Sequence, residues 1–308
     1  MENLKVGVIG VGRIGSLHAK VYSEIKGVEL ACVYDIDIRK ASSVAKRFGC
    51  PGFCNFKDIL KENLDCLSIC VPTKDHFSIA KDCLENRINV LVEKPITPTL
   101  KEADQLIRIA KKNNLVLNVG HVERFNSAFQ KIKEIIQTPK FIECHRLSKF
   151  PKRSLDIGVV LDLMIHDLDI ILTLVNSPIK KIEAVGTNIL TKYGDIANAR
   201  ILFENGCICN LTASRVSDEA MRKIRIFLKD TYISLDYFLQ EAFIYRRKRN
   251  QISKNRIPIE KTEPLKNELK YFLDCVRNHK ELLKSALEAR EALKVALKIQ
   301  EVIWKRKY

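Results

Sequence analysis

The stretch Lys5-Val6-Gly7-Val8-Ile9-Gly10-Val11-Gly12-Arg13-Ile14-Gly15 constrains this chain more than any other. An apolar run stops at Gly10 and an amphipathic pattern starts near Arg13, which reads as strand, tight turn and helix. Gly10 allows the sharp turn, Gly12 lets a pyrophosphate approach the backbone, and Gly15 lets the helix pack closely on the strand. The helix opening at Arg13 and Ile14 offers N–H groups and a positive dipole end to phosphates. A second apolar run, Val28 to Tyr34, ends in Asp35, 20 positions beyond Gly15. That is the spacing at which an acid meets the ribose 2′-hydroxyl of NAD. A strand–turn–helix without ligand is the competing reading, and the acid at the end of the second strand argues against it.

Up to about residue 120, apolar strands alternate with amphipathic helices. Strands are expected at Lys5–Ile9, Leu30–Tyr34, Leu67–Val71, Val90–Val92 and Leu115–Val119. The helices between them, from Ile14–Ile25 to Leu100–Asn113, predict a Rossmann-type, doubly wound parallel sheet in an α/β domain over residues 1–120. Ligands bind such sheets at the carboxyl ends of the strands. Those ends carry Pro72-Thr73, Glu93-Lys94-Pro95 and Gly120-His121.

The pattern then changes. Helices are expected over Asn126–Gln137 and Val159–Val175, and strands from Phe141 to Tyr245 with turns at Glu204-Asn205-Gly206 and Lys229-Asp230. This predicts an α+β domain over residues 121–308 with an open-faced, mostly antiparallel sheet. The basic run Arg246 to Arg256 reads as a loop, and helices at Pro264–Asn278 and Ser285–Lys305 close the chain. With helices on one face of the sheet, a second subunit is expected on the other, giving a homo-oligomer, a dimer or a tetramer.

Composition narrows the class. No run approaches membrane-span length and the first residues open no signal peptide, so no membrane insertion and a cytoplasmic location are expected. The ten cysteines form no CxxC pair and sit mostly in apolar strand patterns, as small buried hydrophobes in a reducing compartment. The net charge of +16 is uneven: residues 1–120 carry 18 Lys and Arg against 14 Asp and Glu, and residues 121–308 carry 35 against 23. A basic second half suits an anionic ligand, although Lys-rich solvated faces account for much of it.

Three groups carry chemistry. Lys94 is pinned at a strand end between Glu93 and Pro95, where a partly desolvated lysine can stabilise an alkoxide or act as a base. Asp162 and His166 are four apart on a helix, so a carboxylate can orient an imidazole as general base. A surface pair and a core histidine are the alternatives, and no third ligand supports a metal. In His121-Val122-Glu123-Arg124-Phe125-Asn126, Arg124 and Asn126 can meet a substrate hydroxyl or phosphate, or the segment can simply knit two domains together.

In order and spacing these marks resemble the Gfo/Idh/MocA family of NAD(P)-dependent sugar oxidoreductases over nearly the whole chain. They are Gly10 to Gly15 with His18, Tyr34-Asp35-Ile36-Asp37, Val71-Pro72-Thr73 with His76, Glu93-Lys94-Pro95, Arg124-Phe125-Asn126, and Asp162 with His166. Ser127 stands where many relatives have proline, and Gly158-Val159-Val160 where many have a glycine triplet. The resemblance implies NAD over Gly10, Gly12, Arg13, Ile14 and Gly15, with Asp35 on the adenosine ribose. Pro72 and Thr73 fall on the nicotinamide side and Glu93 at its ribose, with His76 and Lys94 also among the cofactor-binding residues. Asp35 disfavours a 2′-phosphate, while Arg39 and Lys40 leave NADP possible. The sugar is expected between the domains, at Lys94, His121, Arg124, Asn126, Asp162 and His166. His166 takes the hydroxyl proton, oriented by Asp162, and Lys94 stabilises the alkoxide or exchanges the base role with His166.

Within the family, the segments around His121 and His166, with Asp195 to Arg200 and Ala213-Ser214-Arg215, resemble a subgroup that oxidises C3 of UDP-N-acetylglucosamine. Its product goes to an aminotransferase of lipid A-type glycolipid synthesis. Arg153 and Arg215 are then expected at the diphosphate. Two other classes fit less well. One is a dehydrogenase or reductase of a free cyclitol or simple sugar. The other is a non-catalytic NAD-binding regulator touching nucleic acid or membrane through Arg246-Arg247-Lys248-Arg249; for an enzyme, no nucleic-acid partner is expected.

Overall fold

The computed structural model describes residues 3–150, 157–249 and 251–305. Its residues fall into two compact units, one running to His121 and including Leu265–Arg290, the other comprising Val122–Pro264 and residues from Glu291 on.

The first unit is a six-stranded parallel sheet of β1 (Leu4–Ile9), β2 (Val28–Tyr34), β3 (Gly52–Phe53), β4 (Cys66–Ile69), β5 (Asn89–Glu93) and β6 (Leu117–Gly120). Its order is β3-β2-β1-β4-β5-β6, so the winding reverses beside β1. Helices α1 (Arg13–Glu24), α2 (Ile38–Phe48), α4 (His76–Glu85) and α5 (Leu100–Asn113) alternate with the strands, with a short α3 at Phe56–Ile59. Val6, Val8, Leu67, Ile69 and Val90 to Val92 are buried, as strands covered on both faces require. The two-residue β3 carries too little sequence to show a period.

Residues 265–290 bring α8 (Pro264–Asn278) and the first turns of α9 (Lys284–Lys305) into this unit. Leu269, Phe272 and Leu273 share a core with Val6, Val8 and Tyr22. Arg290 holds Asp104 through two hydrogen bonds of 2.9 and 3.2 Å. Amphipathicity foretells that α8 buries a face, but not against which sheet.

The second unit carries an eight-stranded sheet, β14-β13-β12-β11-β7-β10-β9-β8. The strands are β7 (Phe141–Leu147), β8 (Ile179–Thr187), β9 (Ile196–Phe203), β10 (Ile208–Ser214), β11 (Met221–Phe227), β12 (Thr231–Asp236), β13 (Glu241–Lys248) and β14 (Gln251–Ile257). Every pairing is antiparallel except β7 with β10. Both expected hairpin turns form, and Gly206 takes φ +83° in the first. Ile142, Cys144, Ala199, Ile201, Ile224 and Ile233 point inward and are buried, toward α6 (Ser127–Lys133) and α7 (Ile165–Val175). On the opposite face Phe141, Phe227, Tyr232 and Tyr245 form a partly exposed ladder with successive ring centroids 5.5, 5.0 and 4.2 Å apart.

Three expectations are corrected. Arg246 to Arg256 is not a loop: β13 and β14 pair through it. Its exposed strands lack apolar alternation and are held by ladder bonds and by Lys254 4.4 Å from the Phe243 ring centroid. The helix over Val159–Val175 is not uniform, since Val160–Met164 forms a π turn before α7. Four residues nearly complete a turn in either coil, so Asp162 and His166 keep a shared side. Helix α6 also ends at Lys133, short of Gln137.

Candidate active site

In the first unit the glycine turn is built as its residue types demand. Gly10 has φ +82°, and a Cβ there would stand 2.8 Å from the Cys70 carbonyl oxygen. A Cβ on Gly15 would stand 1.9 Å from the Gly10 carbonyl oxygen, so only glycine lets α1 close on the turn. Nothing lies within 4 Å of the space a Gly12 Cβ would fill. No side chain caps α1 and its first turn holds no acid, which leaves its N-terminal dipole to an anion. Asp35, 8% exposed, accepts the Val11 N–H at 3.0 Å on one oxygen and the Asp37 N–H at 3.0 Å on the other. It therefore braces the glycine turn, and an ionised carboxylate offers about four acceptor positions, so capacity for a ribose hydroxyl is left. Open backbone, uncapped helix and acid together fit a dinucleotide.

The strand ends β4, β5 and β6 carry the other expected residues. Pro72 is extended and leads into a single turn at Thr73–Asp75. His76, expected beside the cofactor, is 1% exposed, with Nδ1 2.8 Å from the Pro95 carbonyl oxygen and Nε2 3.0 Å from that of Val71. It ties the loop after β4 to the loop carrying Lys94. Burial lowers its pKa, against the pull of those carbonyls. Lys94 is half-buried, and its N–H donates to Glu93 Oε2 at 3.3 Å. The Glu93 carboxylate occupies the space a Cβ on Gly120 would need, 2.9 Å away. Burial pushes that carboxyl up, but His18, Lys94 and His76 outweigh it and hold it below the ordinary range. His121 is buried, its N–H on the Val119 carbonyl.

In the second unit Asp162 and His166 are both half-buried. Arg124 forms a forked pair with Asp169 of α7. Asn126 caps α6, accepting the Ala128 N–H at 3.1 Å and donating to the Tyr237 carbonyl at 3.1 Å. Asn126 is 2% exposed, so its partners are internal.

Two arginines missed or misread in the sequence brace the second unit, Arg146 at the His166 helix and Arg215 at the segment that precedes it. Arg146, 2% exposed, donates to both oxygens of Asp167 at 3.0 and 2.9 Å and to Glu123 at 2.8 Å. Its signal was available: along β7 it follows Ile142 and Cys144 at the inward positions, where an arginine requires buried acids. Arg215, expected at a diphosphate, is fully buried. It donates to the carbonyls of Ile157 at 2.6 Å and Gly194 at 3.0 Å, with Asp195 3.5 Å away, and so has no surface to offer an anion. Asp195 accepts the N–H groups of Ile189, Leu190 and Thr191 at 2.6 to 2.8 Å. Burial opposes its charge, yet the Thr191 hydroxyl, donating to its other oxygen at 2.7 Å, and these N–H groups hold its pKa at about 2. Arg153 lies outside the described residues.

Comparison with known proteins agrees with both halves. Residues 4–121 match a family described as an oxidoreductase family with an NAD-binding Rossmann fold, and residues 129–233 match the Gfo/Idh/MocA C-terminal domain. The chain is 35% identical over 310 residues, 98% of each chain, to UDP-N-acetylglucosamine 3-dehydrogenase of Acidithiobacillus ferrooxidans. The solved structure of that enzyme superposes with a TM-score of 0.91, covering 98% of both chains at 36% identity. Scyllo-inositol dehydrogenase of Lactobacillus casei, solved with NAD(H) and scyllo-inositol, shares the fold at a TM-score of 0.84 and 19% identity, over 99% of this chain and 98% of that one.

Proposed function

Since the chain belongs to the Gfo/Idh/MocA family of oxidoreductases, we propose that it oxidises C3 of UDP-N-acetylglucosamine to the 3-keto sugar nucleotide. The observation that carries this reading is the 35% identity, over 98% of both chains, to a dehydrogenase of that substrate. NAD, when bound, supplies the hydride acceptor. The glycine turn from Gly10 to Gly15 holds the pyrophosphate and Asp35 the adenosine ribose, with preference for NAD over NADP. Pro72 and Thr73 line the nicotinamide, Glu93 takes its ribose, and His76 acts by fixing the two loops around it.

His166 accepts the sugar hydroxyl proton, oriented by Asp162, and Lys94 stabilises the resulting alkoxide or exchanges the base role with His166. His121 and Asn126, both buried, hold their segments in place. Arg124 keeps a partly exposed guanidinium for the substrate. We place the reaction in the cytoplasm, carried out by a homo-oligomer assembled through the open sheet face, with an aminotransferase of lipid A-type glycolipid synthesis as the consuming step. Purified protein with NAD, UDP-N-acetylglucosamine and a ketone trap should form reduced nicotinamide. A signal obtained only with inositol or a free sugar contradicts the substrate assignment.

A further inference from the structure

Behind Glu93 lies a buried polar row that the reaction does not use directly. His18 and Tyr22 of α1 and Ser68 of β4 are all fully buried. Tyr22 Oη is 2.7 Å from Ser68 Oγ, and Ser68 Oγ is 3.1 Å from His18 Nδ1. His18 Nε2 is 3.3 Å from Glu93 Oε1, a contact off the ideal hydrogen-bond line. The other carboxylate oxygen faces the Lys94 N–H, so both oxygens of Glu93 are engaged from within the unit.

We propose that His18 is a positioning residue for the cofactor, the last donor of a relay from Tyr22 through Ser68 that holds the Glu93 carboxylate for the nicotinamide ribose. This rests on the reading of Glu93 as the ribose ligand. The relay follows from donor counting. An ionised carboxylate only accepts, so His18 Nε2 carries the proton and, in the neutral ring, Nδ1 accepts. Ser68 must then donate to Nδ1, which leaves its oxygen to accept from Tyr22. Burial raises the Tyr22 phenol well above its ordinary range, so its proton stays in place to donate. Every hydrogen in the row is thereby directed toward Glu93. The charged and titratable groups around that carboxylate are His18 from α1, His76 from α4, Lys94 beside it and Cys70 after β4, and the far end of the row, at Tyr22, faces Cys66 of β4, Cys70 and the buried Glu268 of α8.

Calorimetric titration with NAD between pH 6 and 8 tests the proposal on His18→Leu, Ser68→Ala, Glu93→Gln and the His18→Leu/Glu93→Gln double variant. His18→Leu should weaken NAD about tenfold at pH 8, the scale of a lost charge-assisted contact. The loss should grow as pH falls, because the buried Glu93 carboxyl, left to Lys94 and His76 alone, is held down less than in the wild type. His18→Gln, which keeps an N–H donor, should recover part of the affinity. In the Glu93→Gln background His18→Leu should add less than about twofold, since His18 acts through Glu93. Unchanged NAD affinity in His18→Leu beside a weakened Glu93→Gln overturns the proposal, as do additive losses in the double variant. Wild-type affinity in Glu93→Gln itself overturns the ribose reading, and the proposal with it. Should His18→Leu fail to fold, Ser68→Ala decides: a loss of about threefold with the same pH trend supports the relay, and wild-type binding refutes it.

Discussion

Lys94 leaves β5 half-buried between Glu93 and Pro95. Lys94→Met should abolish turnover while NAD affinity and the melting temperature stay close to wild type; a variant retaining most activity removes the lysine from the reaction. Asp35 serves two ends, bracing Val11 and facing the ribose in the proposed site. Asp35→Ala should therefore weaken NAD more than NADP, and an unchanged ratio of the two dissociation constants defeats the ribose role. The glycines and Asp35 were legible because backbone geometry demands particular residue types at fixed spacing. The placement of His76 and Asn126 was not. A polar residue in a loop motif reads as a ligand contact until burial shows that its partners are backbone carbonyls and amides.

The helix carrying His166 is framed by the buried Arg146, and the cost of removing it belongs to the element rather than to one contact. Arg146→Leu leaves Asp167 buried without its forked cation, and Glu123 with only the partly exposed Arg222 3.7 Å away, and should destabilise the protein by about 3–5 kcal/mol in urea unfolding. A loss near zero denies the frame. Asp195 gives a pH signature with a definite sign. Its folded pKa of about 2 lies below the ordinary carboxylate value, so its contribution is full above the unfolded pKa and is lost as pH falls through the folded one. Asp195→Asn should thus cost stability at pH 7 and progressively less between about pH 4 and pH 2. A penalty independent of pH contradicts the charge argument. Strands with alternating apolar residues were readable, whereas the Arg246–Arg256 hairpin, charged on both sides, and the π turn at Val160–Met164 left no periodic trace.

For the whole molecule, the sequence supported a parallel sheet followed by a mostly antiparallel one. The return of residues 265–290 to the first unit is a long-range choice that local pattern does not encode. Among the described residues no helix is long and apolar enough to cross a membrane. The partly exposed ladder of Phe141, Phe227, Tyr232 and Tyr245 lies on the face proposed for assembly. Sedimentation at micromolar concentration should show a dimer or tetramer that Tyr232→Arg weakens. A monomer at every concentration contradicts assembly through that face.

The central claim is hydride removal from one carbon of one sugar, and isotope placement addresses it most directly. With UDP-N-acetylglucosamine deuterated only at C3, NAD and a ketone trap, the account predicts reduced nicotinamide that carries the deuterium by mass spectrometry. Lys94→Met should give none. Reduced nicotinamide free of deuterium would show that the hydride leaves another carbon, and no reduction at all despite calorimetrically bound NAD would show that this sugar nucleotide is not the substrate.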